Sequence, residues 1–118
     1  MSNIISKAQI LKFGKKAPES RAINAIGGME VFIKHLSSAE KYEWELSALD
    51  DEGKLDKNLL PKTSFNFVAK CVLDEKLQPF FTASEVAELD ADLVLELRET
   101  CQEVNSIKPK AVSEAGKS

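Results

Sequence analysis

Few side chains in this sequence have the types and spacing that catalysis requires. His35 is the one histidine among 118 residues, and a histidine that acts as a general base needs a partner within hydrogen-bond reach. No local motif supplies that partner, so we interpret His35 as a structural or surface residue. Gly27-Gly28 is not followed by the Gly-Lys-Ser/Thr of a phosphate-binding loop. The sequence predicts no catalytic residue, and we expect a protein that is not an enzyme.

Two patterns could bind a metal ion. Cys71 and Cys101 accompany a single histidine, and this set matches no recognised zinc spacing, which favours buried, reduced thiols. Residues 74–85 have the length of an EF-hand calcium loop, with Asp first and Glu last. Lys76 would repel calcium, however, and Pro79 stands where an EF-hand needs glycine. We expect no metal and no cofactor, and a calcium-dependent module is the weakest of the alternatives.

Aromatic side chains are the remaining candidates for function. Tyr42 and Trp44 are two positions apart on a predicted helix, so their side chains point in divergent directions. One of them is a candidate for exposure or for contact with another chain; the alternative is that both pack beneath a hairpin. Phe80 and Phe81 are adjacent in a predicted loop. Because aromatics are enriched at interfaces, the candidate partner-contact residues are Tyr42, Trp44, Phe80 and Phe81.

Composition and charge exclude some classes of protein. The chain is 43% hydrophobic and 30% charged, as in an ordinary soluble domain. The formal charge is +4 over residues 1–34, −9 over 35–107 and +2 over 108–118. An acidic body disfavours nucleic-acid binding, which requires neutralised phosphates. The basic first third could instead contact an acidic surface, such as the body of a neighbouring copy.

The distribution of charged residues also disfavours a membrane protein. The longest stretches without a charged residue, 22–29 and 77–84, have eight residues each, whereas a membrane span needs about 20. The first residues contain no apolar segment of signal-peptide length. We therefore expect no membrane partner and a protein that stays in the compartment where it is made.

Apolar periodicity predicts a mostly α protein with a small N-terminal β-hairpin (α+β), with an all-α fold as the alternative. Helical spacing over 4–13 predicts a first helix that ends at Gly14. Two short apolar runs around Gly27-Gly28 predict a hairpin over about 20–36. The first arm is ambiguous, since residues 19–26 fit either a strand or a helix.

Helix starts are marked more clearly than hairpin arms. Ser37 with Glu40, and Thr82 with Glu85, have the spacing of capping boxes. Pro61 suits a first helical turn, where its missing N–H is not needed. The predicted helices run over about 37–49, 60–73, 83–90 and 91–107, the last capped by Asp90 or Asp92.

Two of these helices carry apolar stripes that predict the core. We expect one helical domain over 1–107 and a disordered tail over 108–118, which has too little apolar content to pack. The expected core-facing residues are Phe65, Val68, Ala69, Val72, Leu73, Leu93, Val94, Leu97, Cys101, Val104 and Ile107.

Two stretches also resemble a known family. Residues 27–45 read GGMEVFIKHLSSAEKYEWE, a short strand followed by a basic residue, Leu-Ser and an Ala-Glu-Lys helix start. Residues 66–89 read NFVAKCVLDEKLQPFFTASEVAEL, an apolar helix followed by an Asp-Glu turn, Phe-Thr and a short helix. In this order the two resemble the tail assembly chaperones of long-tailed (siphovirus-like) bacteriophages, over roughly 27–107. The family turn usually reads Asp-Glu-Asp-Gly, whereas this chain has Lys76 and Leu77.

The resemblance implies a non-catalytic protein that binds and solubilises the tape measure protein and helps recruit the tail tube protein. It implies a homo-oligomer in the cytoplasm of the bacterial host that is absent from the mature virion. Such chaperones often have a second form, extended by a programmed frameshift, and Gly116-Lys117 is compatible with a purine-rich slippery sequence. The alternative is a generic small helical adaptor or regulatory domain that binds one partner helix.

Overall fold

The structure, a computed structural model, describes residues 4–107. Over this range the chain forms five α-helices and one three-stranded antiparallel sheet, which confirms the predicted α+β class. The tail predicted over 108–118 lies outside the described residues. In chain order the elements are α1 (Lys7–Phe13), β1 (Glu19–Ile23), β2 (Met29–Ile33), α2 (Ser38–Leu46), α3 (Leu60–Cys71), β3 (Val72–Leu73), α4 (Ala83–Glu88) and α5 (Ala91–Val104).

The predicted hairpin is present, and its first arm is a strand. β1 pairs with β2 in antiparallel register, from Glu19 opposite Ile33 to Ile23 opposite Met29. A short 3₁₀ turn, Asn24–Ile26, precedes the two glycines. Gly27 and Gly28 have φ values of 72° and 82°, a left-handed conformation that glycine adopts without a Cβ penalty. The glycine pair therefore permits the reversal between the strands.

A third strand was not predicted. The helix expected over 60–73 ends at Cys71, and β3 pairs with β2 through Phe32 opposite Leu73 and Ile33 opposite Val72. The Lys34 N–H donates to the Cys71 carbonyl at 2.8 Å. Val72 is β-branched and suits an extended backbone, and the free edge of β2 supplies hydrogen-bond partners. A contact distant in sequence therefore overrides the helical periodicity.

The helix starts follow the predicted capping signals. Both capping boxes are present, in front of α2 and α4, and the Asp90 carboxylate accepts the backbone N–H groups of Asp92 and Leu93 at the start of α5. A third capping box, Ser6 with Gln9, was not predicted and starts α1 three residues later than expected. The helix ends fall two to three residues before the predicted ones in α2, α4 and α5.

The core lies between the sheet and α3, α4 and α5. All of its members have small exposed fractions, and most are apolar β-branched residues that pack the sheet against the helices. Phe67 is the largest of them, although the predicted stripe on α3 did not include it. The buried cluster consists of Ile23, Val31, Ile33, Phe67, Val68, Cys71, Val72, Val86, Val94, Leu97, Cys101 and Val104.

Every residue of α1 is exposed, whereas each of the other four helices contains at least one buried or partly buried residue. The apolar side chains of α1 are all exposed: Ile10 at 53%, Leu11 at 51% and Phe13 at 77%. The helix ends at Gly14, as predicted, and a connection over 15–18 that is neither helix nor strand leads to β1. The amphipathic pattern that predicted this helix is thus present without a surface beneath it in the described chain.

Candidate functional site

Two open apolar grooves lie on the helical face of the protein. The first, here called the acidic groove, has a volume of about 580 Å³ between α2, α3 and α5. Its apolar lining comes mainly from Trp44, Leu55 and Phe67, and two carboxylates, Glu45 and Glu99, line it as well. The remaining lining residues are Ala48, Leu60, Thr63, Ser64, Arg98 and Gln102.

The second, here called the basic groove, has a volume of about 590 Å³ between α3, α4 and α5. Its charged lining residues are Lys57 and Arg98, and the described residues that line it include no carboxylate. Its size and apolar lining fit the side chains of one turn or two of a partner helix. The other lining residues are Leu60, Pro61, Ser64, Phe65, Val86, Ala87, Leu89, Ala91, Val94 and Leu95.

Three residues, Leu60, Ser64 and Arg98, line both grooves. Arg98 on α5 donates from Nη1 to the Ser64 hydroxyl on α3 at 3.3 Å. Leu60 is half exposed at the start of α3. The grooves are therefore neighbouring parts of one surface, with carboxylates on one side of Arg98 and none on the other.

Of the predicted contact residues, Trp44 lies in a groove and Tyr42 does not. The Trp44 ring stacks on Phe67 with 4.7 Å between ring centroids, so α2 is held against α3 by this pair. The Trp44 Nε1–H is buried and has no hydrogen-bond partner among the described residues. Tyr42 is 67% exposed. The divergence expected for residues two apart is thus observed, with Tyr42 on the solvent side.

Phe80 and Phe81 form a second aromatic pair on another part of the surface. Their ring centroids are 4.8 Å apart. Phe80 is 49% exposed, whereas Phe81 packs partly against the core. The Phe80 N–H donates to the Val72 carbonyl at 3.1 Å, which fixes the loop after β3. Ring contacts in the described chain thus place Trp44 and the phenylalanine pair in separate clusters.

His35 has a carboxylate partner that local sequence did not reveal. Its Nε2 lies 2.6 Å from Glu19 Oε2 across the hairpin, and Arg21 Nη2 donates to Glu19 Oε1 at 3.1 Å. Hydrogen bonds from Arg21 and from His35 lower the pKa of Glu19. None of these residues lines either groove, so the cluster joins β1 to the end of β2.

The other polar groups also position the backbone. Glu96 on α5 accepts the N–H groups of Asn24 and Ala25 at 2.6 and 2.9 Å. Asn105 accepts the Leu36 N–H at 2.7 Å and donates to the Lys34 carbonyl at 3.0 Å. Sequence reasoning missed both residues, because each partner lies about 70 positions away. They hold the hairpin and the start of α2 on α5.

The residues that were candidates for binding a metal ion have structural roles in this fold. Asp74 Oδ1 accepts the N–H groups of Lys76 and Gln78 within its own turn, and Glu85 serves the capping box of α4, as predicted. Cys71 and Cys101 are both buried and free, and their mutual hydrogen bond and burial raise the pKa of the Cys101 thiol. Over residues 4–107, no group of three or more potential ligands is placed to hold a metal ion.

In the described part of the chain, no helix combines the length and apolar character needed to cross a membrane. Compared with family models, with curated proteins and with solved structures, the chain shows no match to any of the three.

Proposed function

We propose that this chain is a non-catalytic tail assembly chaperone of a long-tailed bacteriophage, and that its basic groove binds helical segments of the tape measure protein. The observation that carries the proposal is the open apolar groove between α3, α4 and α5, with Lys57 and Arg98 as its charged residues. An amphipathic helix places its apolar face in such a groove. Lys57 and Arg98 favour a client helix with acidic residues beside its apolar stripe.

The order of elements supports the same role. The two stretches that resemble the family fall on β2 with the capping box of α2, and on α3 with the following turn and the capping box of α4. Val86, Ala87 and Leu89 of the second stretch line the basic groove, and the rest of its lining lies outside both stretches. The second stretch thus contributes one side of the proposed client site.

The role requires many copies of the chain. One groove of about 590 Å³ covers only a short part of a long helical client. Several copies bound along the client would keep it soluble through repeated weak contacts. The same coat could then deliver the client to the tail tube protein in the host cytoplasm, before the virion is complete.

Co-expression with a tape measure segment tests the client site. Leu95→Asp introduces a carboxylate into the basic groove at a partly exposed position on α5, and Leu46→Asp, at an exposed leucine of α2 outside both grooves, is the matched control. We expect the wild type and the control to keep the segment in the soluble fraction. Leu95→Asp should weaken binding roughly tenfold or more, because a buried charge opposes apolar contact.

Equal solubility of the segment with all three chains would contradict the proposed client site, and no solubility with the wild type would contradict the chaperone role. The number of copies bound separates this role from that of a single-helix adaptor. For a chaperone coat, the number of chains bound to one tape measure segment should rise in proportion to the length of that segment. For an adaptor, one chain should bind to a segment of any length.

The nucleotide sequence provides an independent test. The proposed role predicts a slippery heptamer in the codons from position 110 onward, an overlapping reading frame and a very long downstream gene of tape measure type. An ordinary stop codon without these features would weigh against the frameshifted form, and the absence of the long gene would weigh against the role itself.

A further inference from the structure

The apolar side of α1 has no surface to pack on in the described chain. At 100° per residue, Ile10, Leu11 and Phe13 fall within an arc of about 160°, with Gln9 and Lys12 on the opposite side. The three apolar side chains are each more than half exposed, and no residue of the helix is buried. An exposed apolar face on a short capped helix marks an interaction surface.

The charge of this segment limits its possible partners. Lys7, Lys12, Lys15 and Lys16 lie before Glu19, which is the first acidic residue of the sequence. None of the four lysines takes part in an ion pair within residues 4–107. The surface that covers α1 should therefore combine apolar side chains with carboxylates.

The acidic groove has this combination. Glu45 and Glu99 line it, and neither carboxylate forms an ion pair with another described residue. The apolar surface of this groove includes Trp44, Leu55, which is 61% exposed, and Phe67. α1 is about 10 Å long at 1.5 Å per residue, so a groove of about 580 Å³ can hold its apolar side chains.

We propose that α1 of one copy docks in the acidic groove of a second copy. The basic groove does not suit α1, because its charged residues are Lys57 and Arg98. Helix and groove are different surfaces, so the contact is head-to-tail and leaves one free α1 and one free groove at the ends of each assembly. The contact uses only this chain's own surfaces and stands independently of the chaperone role.

Three variants of the full chain test the contact. Leu11→Asp with Phe13→Asp removes the apolar face of α1, and Leu55→Asp places a charge in the acidic groove. Leu46→Asp is again the matched control, since this exposed leucine lines neither groove. None of the four side chains is buried, so each variant should fold, which far-UV circular dichroism verifies. Sedimentation velocity over a concentration series at low salt then measures association.

The wild type and the control are expected to gain mass with concentration. The α1 variant and the groove variant should each associate at least about tenfold more weakly, since each loses apolar contact at the interface. An equal mixture of these two variants contains one intact α1 and one intact groove per pair. It should form a dimer that grows no further.

Three results would overturn the contact: a wild type that stays monomeric, a variant that associates as well as the wild type, or a mixture that forms no dimer. If α1 instead docks into the groove of its own chain, the wild type stays monomeric, which is the first of these results. Client binding is measured separately with Leu95→Asp, so failure of either proposal can be recognised without the other.

Reversal of charge adds a specific readout. Glu45→Lys with Glu99→Lys should abolish association with the wild-type α1, because lysines would then face lysines. The same groove should bind a chain that carries Lys7→Glu, because Lys7 falls between Ile10 and Leu11 around the helix axis at 100° per residue. Association of the wild type should also fall between 0.1 M and 1 M salt, as the Debye length shortens from about 10 Å to about 3 Å. Insensitivity to salt and no rescue by the swapped charges would contradict the assignment of this groove.

Discussion

Two turns of this protein have the same hydrogen bonds and different sequences. In residues 50–54, the Asp50 N–H donates to the Lys54 carbonyl at 2.7 Å, and Asp50 Oδ1 accepts two N–H groups at 2.9 Å each. In residues 74–78, the Asp74 N–H donates to the Gln78 carbonyl at 2.8 Å, and Asp74 Oδ1 accepts two N–H groups at 2.8 and 3.0 Å. The first aspartate therefore organises both turns.

The turns differ at their fourth residue. Gly53 has a φ of 79° and Leu77 a φ of 62°, so both lie in the left-handed region. That region costs a residue with a Cβ about 1–2 kcal/mol, and costs glycine almost nothing. The turn at Leu77 therefore carries a strain that the turn at Gly53 avoids.

The surroundings of the turns explain why the 74–78 turn tolerates this strain. The 74–78 turn follows β3 and precedes the loop to α4, and both elements contribute fully buried side chains, Val72 and Val86. The 50–54 turn connects α2 to α3. An isolated bridge flanks each turn, Leu49 with Leu55 and Leu73 with Pro79, but Leu55 is 61% exposed. A strongly anchored turn can hold a strained residue, whereas a weakly anchored one needs a residue without strain.

The largest effect is expected from removal of the organising aspartate in the anchored turn. Asp74→Ala leaves the Lys76 and Gln78 N–H groups without their acceptor and should lower the free energy of unfolding by about 2 kcal/mol. Asp50→Ala should lower it by only about 1 kcal/mol, because Asp50 is more exposed and water can replace its bonds. Urea denaturation followed by circular dichroism measures both.

The asparagine variants are the controls for this prediction, since the amide oxygen can still accept a hydrogen bond. If Asp74→Ala and Asp50→Ala lower the free energy of unfolding equally, anchoring by β3 and α4 does not distinguish the two turns.

Local signals in the sequence predicted much of this fold. The capping boxes, Gly27-Gly28 and Pro61 act through neighbours within four positions, so their effects are visible in a short segment. β3 was missed because its two residues depend on the edge of β2, about 40 positions earlier. Leu77 could not be recognised as a left-handed residue, since leucine rarely adopts that conformation and gives no turn signal.

The candidate sites were less predictable than the fold. Tyr42 and Trp44 were predicted as candidate partner-contact residues, but the grooves depend on how α2, α3, α4 and α5 pack together. Periodicity placed Phe65 in the core stripe, where it packs partly buried against the core, but left out Phe67, which is buried and supports Trp44. The exposure of α1 could not be predicted from the sequence either, because an amphipathic pattern predicts an apolar face without showing what covers it.

A smaller effect is expected when the strain is introduced into the weakly anchored turn. Gly53→Leu should destabilise the protein by about 1 kcal/mol, the cost of a left-handed leucine. A Cβ added at Gly53 would meet no heavy atom within 4 Å, so the loss is conformational rather than steric. Gly53→Asn, which tolerates a positive φ better, is the control. No loss in Gly53→Leu would mean that this turn relaxes freely to another conformation.

The smallest effect is expected from relief of the strain at Leu77. Leu77→Gly removes the left-handed penalty of about 1–2 kcal/mol but adds about 0.5–1 kcal/mol of backbone entropy to the unfolded chain, which leaves a gain of about 0.5–1 kcal/mol. The double variant with Gly53→Leu should then have nearly the wild-type stability, because the turns are separate sites and their effects add. Destabilisation by Leu77→Gly would instead mean that the half-exposed leucine side chain makes a contact worth more than the strain.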